Sequence, residues 1–271
     1  VNSPSALPPI LLVGGGRMGA ALLSGWRQQG LTSAIVIDPS PEAAKLAGSG
    51  VEVLSHPNDI PAGFTPDAIV LAVKPQMAAE ALPPYARFAG CSVFISIMAG
   101  QTLHAISHRL GVKAAVVRAM PNTPAAIGQG FCIAVANQNV GVTRKDLADR
   151  LLKAGGEVAW VTDEDLLDPV TAVSGGGPAY FFLLTELLEQ AAIAQGVPAP
   201  LARAMARQTF IGSAGLLAAS DEDAANLRIA VTSPKGTTEQ ALAILRGENA
   251  WPKLVDDAIA AATRRSRELR E

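Results

Sequence analysis

A short apolar run, Ile10-Leu11-Leu12-Val13, leads directly into Gly14-Gly15-Gly16-Arg17-Met18-Gly19 and then into a helix-spaced segment, which narrows the possible folds more than any other feature. Each glycine of a strand, Gly-x-Gly-x-x-Gly, helix arrangement has a physical reason. Gly14 permits a tight turn, Gly16 lets backbone approach a pyrophosphate, and Gly19 allows close packing of helix on strand. The helix start offers unpaired N–H groups and the positive end of its dipole to the phosphates. A glycine triplet alone is also compatible with a plain turn. The strand before it and the helix after it give it meaning as a dinucleotide loop.

The chain around this loop extends the same pattern. Short apolar runs at Ile10–Val13, 34–38, Val51–Leu54, 68–73, 93–97, 114–120, 131–136 and 158–161 alternate with helix-like segments at Arg17–Gln28, 41–47, 77–82, Leu103–Leu110 and 143–154. Alternation of this kind predicts βαβ units and a mainly parallel, doubly wound sheet. Gly155-Gly156 closes the last of those helices. After Val161 the spacing turns helical throughout, starting at the capping-type sequence Thr162-Asp163-Glu164-Asp165. The expected division is therefore a dinucleotide-binding domain at 1–161 and an all-helical domain at 162–271. Segments 180–194 and 201–219 are rich in Ala and Leu and poor in charge. They leave more apolar surface than a domain of about 110 residues buries alone, so a homodimer built on this half is expected.

Composition removes other classes. The 271 residues carry a net charge of −2 and are 49% hydrophobic, a globular balance with no extended basic face for nucleic acid. The one dense basic cluster, Arg264, Arg265, Arg267 and Arg270, reads as cations at the C-terminal end of a last helix. The longest apolar stretch, 170–184, is interrupted by Ser174-Gly175-Gly176-Gly177-Pro178 and is too short for a membrane span. Only Cys91 and Cys132 are present and no secretory pattern precedes Val13, so a reduced, cytoplasmic compartment is expected and neither thiol needs a special role. His104 and His108 are four apart on a helix, but no third ligand accompanies them, and no metal site is expected.

Candidate cofactor residues lie at the carboxyl ends of the predicted strands, where such sheets bind ligands. They are Gly14, Gly16, Arg17, Met18 and Gly19 after the first strand, Asp38 and Ser40 at the second, Ala72, Val73, Lys74 and Pro75 after the fourth, and Met120, Pro121 and Asn122 after the sixth. A carboxylate at Asp38 suits the two adenosine ribose hydroxyls and favours NADH, and no Arg follows it before Arg87 to clamp a 2′-phosphate, although Ser40 can hydrogen-bond one. The alternative is that Asp38 simply ends its strand while Ser40 caps a helix beginning at Pro41. Proline-rich loops after strands are also common punctuation.

Taken in order, Gly14–Gly19, 72–76, Arg118-Ala119-Met120-Pro121-Asn122-Thr123-Pro124, Val173-Ser174-Gly175-Gly176-Gly177-Pro178-Ala179-Tyr180 and Val231-Thr232-Ser233-Pro234-Lys235-Gly236-Thr237-Thr238 resemble the pyrroline-5-carboxylate reductase family. The first motif is shared by many dehydrogenases; the last three in this order are specific. The resemblance implies NAD(P)H-dependent reduction of the cyclic imine 1-pyrroline-5-carboxylate to proline, with NADPH or NADH as cofactor. It implies an N-terminal Rossmann-like domain, a helical C-terminal dimerisation domain, and dimers assembling into larger rings. It also implies that the loop at Ser233, Gly236, Thr237 and Thr238 holds the substrate carboxylate and that the Thr238 hydroxyl reaches the ring nitrogen. These residues suit that role, since a hydroxyl, backbone N–H groups and a helix start hold an anion without an arginine. Without the resemblance, Ser233 and Thr238 read as helix caps. Lys235 stands where the family usually has glycine. If that position needs φ > 0, lysine costs about 1 kcal/mol there.

Two rivals remain. A 3-hydroxyacid-type dehydrogenase shares the two-domain plan but uses a catalytic lysine on the first helix of its second domain, and no lysine occurs here between Lys153 and Lys235. A non-catalytic NAD-binding regulator would keep the glycine loop and lose the chemistry, whereas Ser233 and Thr238 are intact. An iminium is activated by its own charge, which matches a chain poor in candidate proton donors.

Overall fold

The computed structural model describes residues 6–270. Among them, eight strands form a single sheet: β1 Ile10–Val13, β2 Ala34–Ile37, β3 Val51–Leu54, β4 Ala68–Leu71, β5 Val93–Ser96, β6 Ala115–Met120, β7 Gly130–Ala136 and β8 Gly156–Trp160. Their order is β3-β2-β1-β4-β5-β6-β7-β8. Every pairing is parallel except β6 with β7. The chain winds outward from β1 in one direction to β3 and then restarts at β4 in the other. The β1/β4 junction is thus the point where the winding reverses, and a crevice opens there at the strand ends.

The apolar strand runs are nearly continuous because both sheet faces are covered. Alternate residues sort to opposite sides. Ile10, Leu12, Val36, Val70 and Ile95 pack with Trp26 and Leu151 on one face. Leu11, Val13, Ile35, Ile69 and Phe94 pack with Leu82 and Tyr85 on the other. Helix α1, Arg17–Gln28, buries Leu22, Leu23 and Trp26, and the Trp26 indole N–H donates to the Leu151 carbonyl at 2.8 Å. That bond ties α1 to α4, Val142–Lys153.

Two expected helices differ in kind. The segment 41–47 is a 3₁₀ helix, Pro41–Leu46. The segment 77–82 splits into a 3₁₀ turn, Pro75–Met77, and a single α turn, α2, Ala78–Ala81. Pro83 and Pro84 stop the second of them, and such short pieces cannot recover the cost of nucleation. Helix α3, Leu103–Leu110, matches its expected span.

The chain separates into two compact units. One reaches Gly175 and resumes at Ala262; the other is Gly176–Ala261. The expected boundary at 161/162 thus falls inside the first unit, and long-range bonds explain why. Glu164 Oε1 accepts from Arg118 Nη1 at 2.7 Å and from the Leu103 N–H at 2.8 Å. Helix α5, Leu167–Val170, contributes fully buried Leu167 to a cluster with Met120, Ile133 and Val135. The carboxylate of Asp168, also fully buried, accepts from Ser266 Oγ at 2.7 Å and pairs with Arg270. These contacts weld 162–175 and the chain's last turns to the sheet, although the sequence spacing there is already helical.

The second unit is helical, as expected. It contains α6 Gly177–Ala194, α7 Ala199–Ala218, α8 Ala224–Ala230, α9 Thr237–Leu245 and the start of α10 Trp251–Glu268. Helices α6 and α7 pack as a pair, with the Phe181 and Phe210 rings 5.5 Å apart. Phe182, Leu183, Leu187, Ile211 and Leu216 remain exposed on them, each by half or more. None of the described helices is long and apolar enough to cross a membrane.

Candidate functional site

The glycine loop lies at the winding reversal. Gly14 has φ = +100°, and a Cβ there would come within 2.6 Å of the Ala72 carbonyl oxygen. The loops after β1 and β4 therefore touch backbone to backbone, and the Ala72 N–H donates to the Val13 carbonyl at 2.7 Å. A Cβ on Gly19 would collide with the Gly14 carbonyl oxygen, so α1 sits against the loop as closely as two backbones allow. Gly16 is the opposite case: it is exposed, and nothing lies within 4 Å of its Cβ position. It forms the N-cap of α1 and offers no side-chain cap. The first-turn N–H groups of α1 are therefore left without a side-chain cap and the approach at Gly16 is uncrowded, which suits a pyrophosphate. These residues fit a bound dinucleotide.

Asp38 sits at the end of β2 and braces the loop. Its Oδ2 accepts the Gly15 N–H at 2.6 Å and its Oδ1 accepts the Ser40 N–H at 2.8 Å. A carboxylate has about four acceptor positions, so both oxygens retain capacity for ribose hydroxyls. Ser40 caps its 3₁₀ helix, with its hydroxyl accepting the Glu42 N–H at 3.3 Å. Asp38 and Ser40 thus shape the turn at the end of β2. Arg17 and Lys74 are exposed, while Met18, Ala72, Val73 and Pro75 are half-buried. All lie at the ends of β1 and β4.

The loop after β6 has a mixed role. Met120 is buried in the cluster with Leu167, and Pro121 is half-buried. The Asn122 amide turns inward: Nδ2 donates to the carbonyl and hydroxyl of Ser174, each at 3.2 Å, and Oδ1 accepts the Phe131 N–H at 2.9 Å. Asn122 therefore shapes the loop. Ser174 belongs to a π-helical turn, Thr171–Gly175. That turn was not legible from spacing, because a π turn inserts one extra residue into an otherwise helical pattern.

The second unit presents the 233–238 loop. The Gly236 N–H closes a turn onto the Ser233 carbonyl at 3.0 Å, and a Cβ on Gly236 would meet that same oxygen at 2.9 Å. Gly236 was expected to offer its N–H to an anion; the turn consumes it, so of the three backbone donors expected at 236–238 those of Thr237 and Thr238 remain. Gly236 is the N-cap of α9 and supplies no side-chain cap. Ser233, Thr237 and Thr238 are exposed. Lys235 has φ = +60°, the left-handed conformation that glycine adopts without penalty. Its N–H donates to Glu239 Oε2 at 2.8 Å. The sequence reading did not single out Glu239, although a glutamate in the first turn of a helix is a recognised capping signal.

His104 and His108 are exposed, and no metal-binding cluster of His, Cys, Asp or Glu exists among the described residues. Burial pushes the Cys132 thiol up to about 12, so it stays protonated and unreactive near neutral pH.

A family model described as pyrroline-5-carboxylate reductase dimerisation matches residues 164–269. Another, described as NADP oxidoreductase coenzyme F420-dependent, matches 9–100. The chain is 39% identical to the pyrroline-5-carboxylate reductase of Pseudomonas aeruginosa, over 97% of each protein. It is 33% identical to that of Haemophilus influenzae, over 96% of this chain and 97% of the relative. Among solved structures, a pyrroline-5-carboxylate reductase from Coxiella burnetii superposes with a TM-score of 0.89 at 32% identity, covering 97% of this chain and 99% of that one. A Plasmodium falciparum pyrroline carboxylate reductase with NADP bound gives 0.84 at 28% identity, covering 98% and 99%.

Proposed function

The chain belongs to the pyrroline-5-carboxylate reductase family and as such reduces 1-pyrroline-5-carboxylate to L-proline with NADPH or NADH; we propose how its residues divide that work. Gly14, Gly16, Arg17, Met18 and Gly19 receive the cofactor's pyrophosphate at the α1 N-terminus. Asp38 and Ser40 meet the adenosine ribose, and the backbones of Ala72 to Pro75 and Met120 to Asn122 line the remaining length. When bound, the reduced nicotinamide supplies the hydride that adds to the imine carbon.

The chain's own task on the substrate is to bind and orient. Ser233 donates its hydroxyl to the substrate carboxylate, and Thr237 and Thr238 donate backbone N–H groups from the first turn of α9. Thr238 also brings its hydroxyl to the ring nitrogen. The iminium form already carries its proton on that nitrogen, so the hydroxyl orients the C=N bond and needs no unusual acidity. The observation that carries this reading is the uncapped start of α9, which has an exposed serine and two exposed threonines around unpaired N–H groups. Functionally, the cofactor region is 1–161 and the dimerisation and substrate region 162–271, even though the compact units divide later.

Asp38 favours NADH, because its charge accepts ribose hydroxyls and repels a 2′-phosphate. The chain works as a homo-oligomer, at least a dimer, through its helical half. The exposed apolar faces of α6 and α7 support that pairing. We extend the assembly to a ring of dimers and the location to the cytoplasm. Purified protein mixed with the imine and either reduced cofactor tests the activity: consumption of NADH or NADPH is expected, and no absorbance loss with either overturns the assignment. Light scattering that gives a monomer overturns the dimer.

A further inference from the structure

The loop that receives the substrate carboxylate is held in a conformation its own sequence disfavours. Lys235 is one of two non-glycine residues with positive φ among those described, the other being Ser49. Two bonds fix the loop around it. The Gly236 N–H closes the turn on the Ser233 carbonyl, and the Lys235 N–H reaches forward to the carboxylate of Glu239. Glu239 occupies the third position of α9, where a capping-box glutamate would bond the N-cap N–H. That N–H is already spent on Ser233, and the Glu239 carboxylate reaches one residue further back instead. The consequence is specific to the N–H groups that follow. With Lys235 and Gly236 both satisfied within the loop and no side chain capping the helix, the first-turn donors left without a partner are those of Thr237, Thr238 and Glu239 itself.

We propose that Glu239 is a positioning residue for the substrate carboxylate: by accepting the Lys235 N–H it holds the 233–238 turn in the shape that aims the Thr237 and Thr238 N–H groups at the anion. The inference rests on the carboxylate reading of this loop given above. Glu239 acts through the Lys235 backbone and does not itself touch substrate. Its negative charge, standing in the first helical turn, opposes an incoming carboxylate, so its benefit is geometric and its charge is a cost. An amide at this position keeps the acceptor oxygen and removes that cost.

Glu239→Ala, Glu239→Gln, Ser233→Ala and Thr238→Ala, assayed in the full-length oligomer with imine and reduced cofactor each varied, test this directly. Loss of a hydrogen bond to a charged group predicts that Glu239→Ala raises the imine KM about tenfold, with cofactor KM unchanged and kcat within about twofold. Glu239→Gln restores the imine KM to wild-type level or below. Competitive inhibition by proline weakens in Glu239→Ala by the same factor as the imine KM. If Ser233→Ala, which removes the side-chain donor to the carboxylate, raises the imine KM while Glu239→Ala does not, the positioning role is wrong and the carboxylate reading survives. If none of the variants moves the imine KM, the carboxylate reading itself is wrong. Equal losses in Glu239→Ala and Glu239→Gln also overturn the proposal, because they assign the effect to charge.

Discussion

Asp38 and Gly15 are joined by a 2.6 Å hydrogen bond in which the Gly15 N–H donates to Asp38 Oδ2, across the gap between the end of β2 and the middle of the glycine loop. The same carboxylate takes the Ser40 N–H on its other oxygen. One side chain thus sets the shape of the glycine loop, and in the proposed function it also presents its charge to the adenosine ribose.

Replacing Asp38 separates those two jobs. Asp38→Asn keeps an acceptor for one backbone N–H but removes the charge, so it is expected to weaken NADH binding and relieve the repulsion of a 2′-phosphate. A charged hydrogen bond is worth about 1.5–3 kcal/mol, which predicts an NADH Kd raised at least tenfold and a smaller change for NADPH. Fluorescence titration of each reduced cofactor checks this. Parallel losses for both cofactors would leave Asp38 with the bracing role alone.

For Thr238 the expected loss is confined to the chemistry. The residue is exposed at the second position of α9, so Thr238→Ala leaves folding and cofactor affinity near wild type. Without its hydroxyl the imine loses its orienting contact, and kcat/KM should fall roughly tenfold to a hundredfold, with Thr238→Ser recovering most of it. Steady-state kinetics with the imine varied at saturating cofactor decides the point. An alanine variant with wild-type efficiency removes Thr238 from the reaction.

Lys235 gives a prediction of opposite sign, because its removal should stabilise the protein. A non-glycine residue in the left-handed region costs about 1–2 kcal/mol, partly offset in Lys235→Gly by the greater freedom of glycine when unfolded. The net expectation is a gain of about 1 kcal/mol, read as a higher urea midpoint at unchanged m-value. The exposed ammonium adds little attraction for the carboxylate, so the imine KM should rise less than about threefold. A midpoint that falls would mean the lysine side chain stabilises the loop in another way.

Much of the first unit was legible because parallel strands covered on both faces leave an unmistakable trace. Runs such as Ile10-Leu11-Leu12-Val13 and Ala68-Ile69-Val70-Leu71 are apolar at every position, and all eight expected strands are present within two residues of their predicted ends. The glycine loop was equally clear, since its spacing encodes backbone contacts with few substitutes. Segment 162–175 was not. Its attachment to the sheet depends on Glu164 meeting Arg118, 46 residues away, and on Asp168 meeting Ser266, 98 residues away. Local spacing carries no record of such partners. Arg118 looks like an ordinary charged residue in a strand, yet it is 1% exposed because Glu164 pairs with it. The inward turn of Asn122 escaped for the same reason. Ser233 to Thr238 could be recognised as a motif, and the φ > 0 that Lys235 adopts there was foreseeable from its standing where glycine is usual, but its bond to Glu239 is a property of the folded backbone.

Stability toward acid should depend in part on Asp149 of α4. Burial works against its charged form, but hydrogen bonds from Lys153 and the Trp160 indole, with the nearby charges of Lys153 and Lys145, outweigh that effect and hold its pKa below the ordinary carboxylate range. The Trp160 Nε1–H donates to Oδ1 at 2.9 Å, Lys153 pairs with Oδ2 at 2.7 Å, and Lys145 lies 4.7 Å from the Trp160 ring centre. A group whose pKa is depressed by folding binds fewer protons in the native state than in the unfolded one. Its contribution is therefore complete above the unfolded value of about 3.9 and is lost as pH falls through the lower folded value. Asp149→Asn removes that contribution while preserving an acceptor for the indole. Urea unfolding should show wild type more stable than the variant from about pH 5 to 8, with the difference shrinking below about pH 4. Emission from Trp160, which anchors β8 against α4, should shift over the same acidic range in wild type and stay flat in the variant. A stability difference that persists undiminished at pH near 2 would assign the effect to packing and remove Asp149 from the acid response.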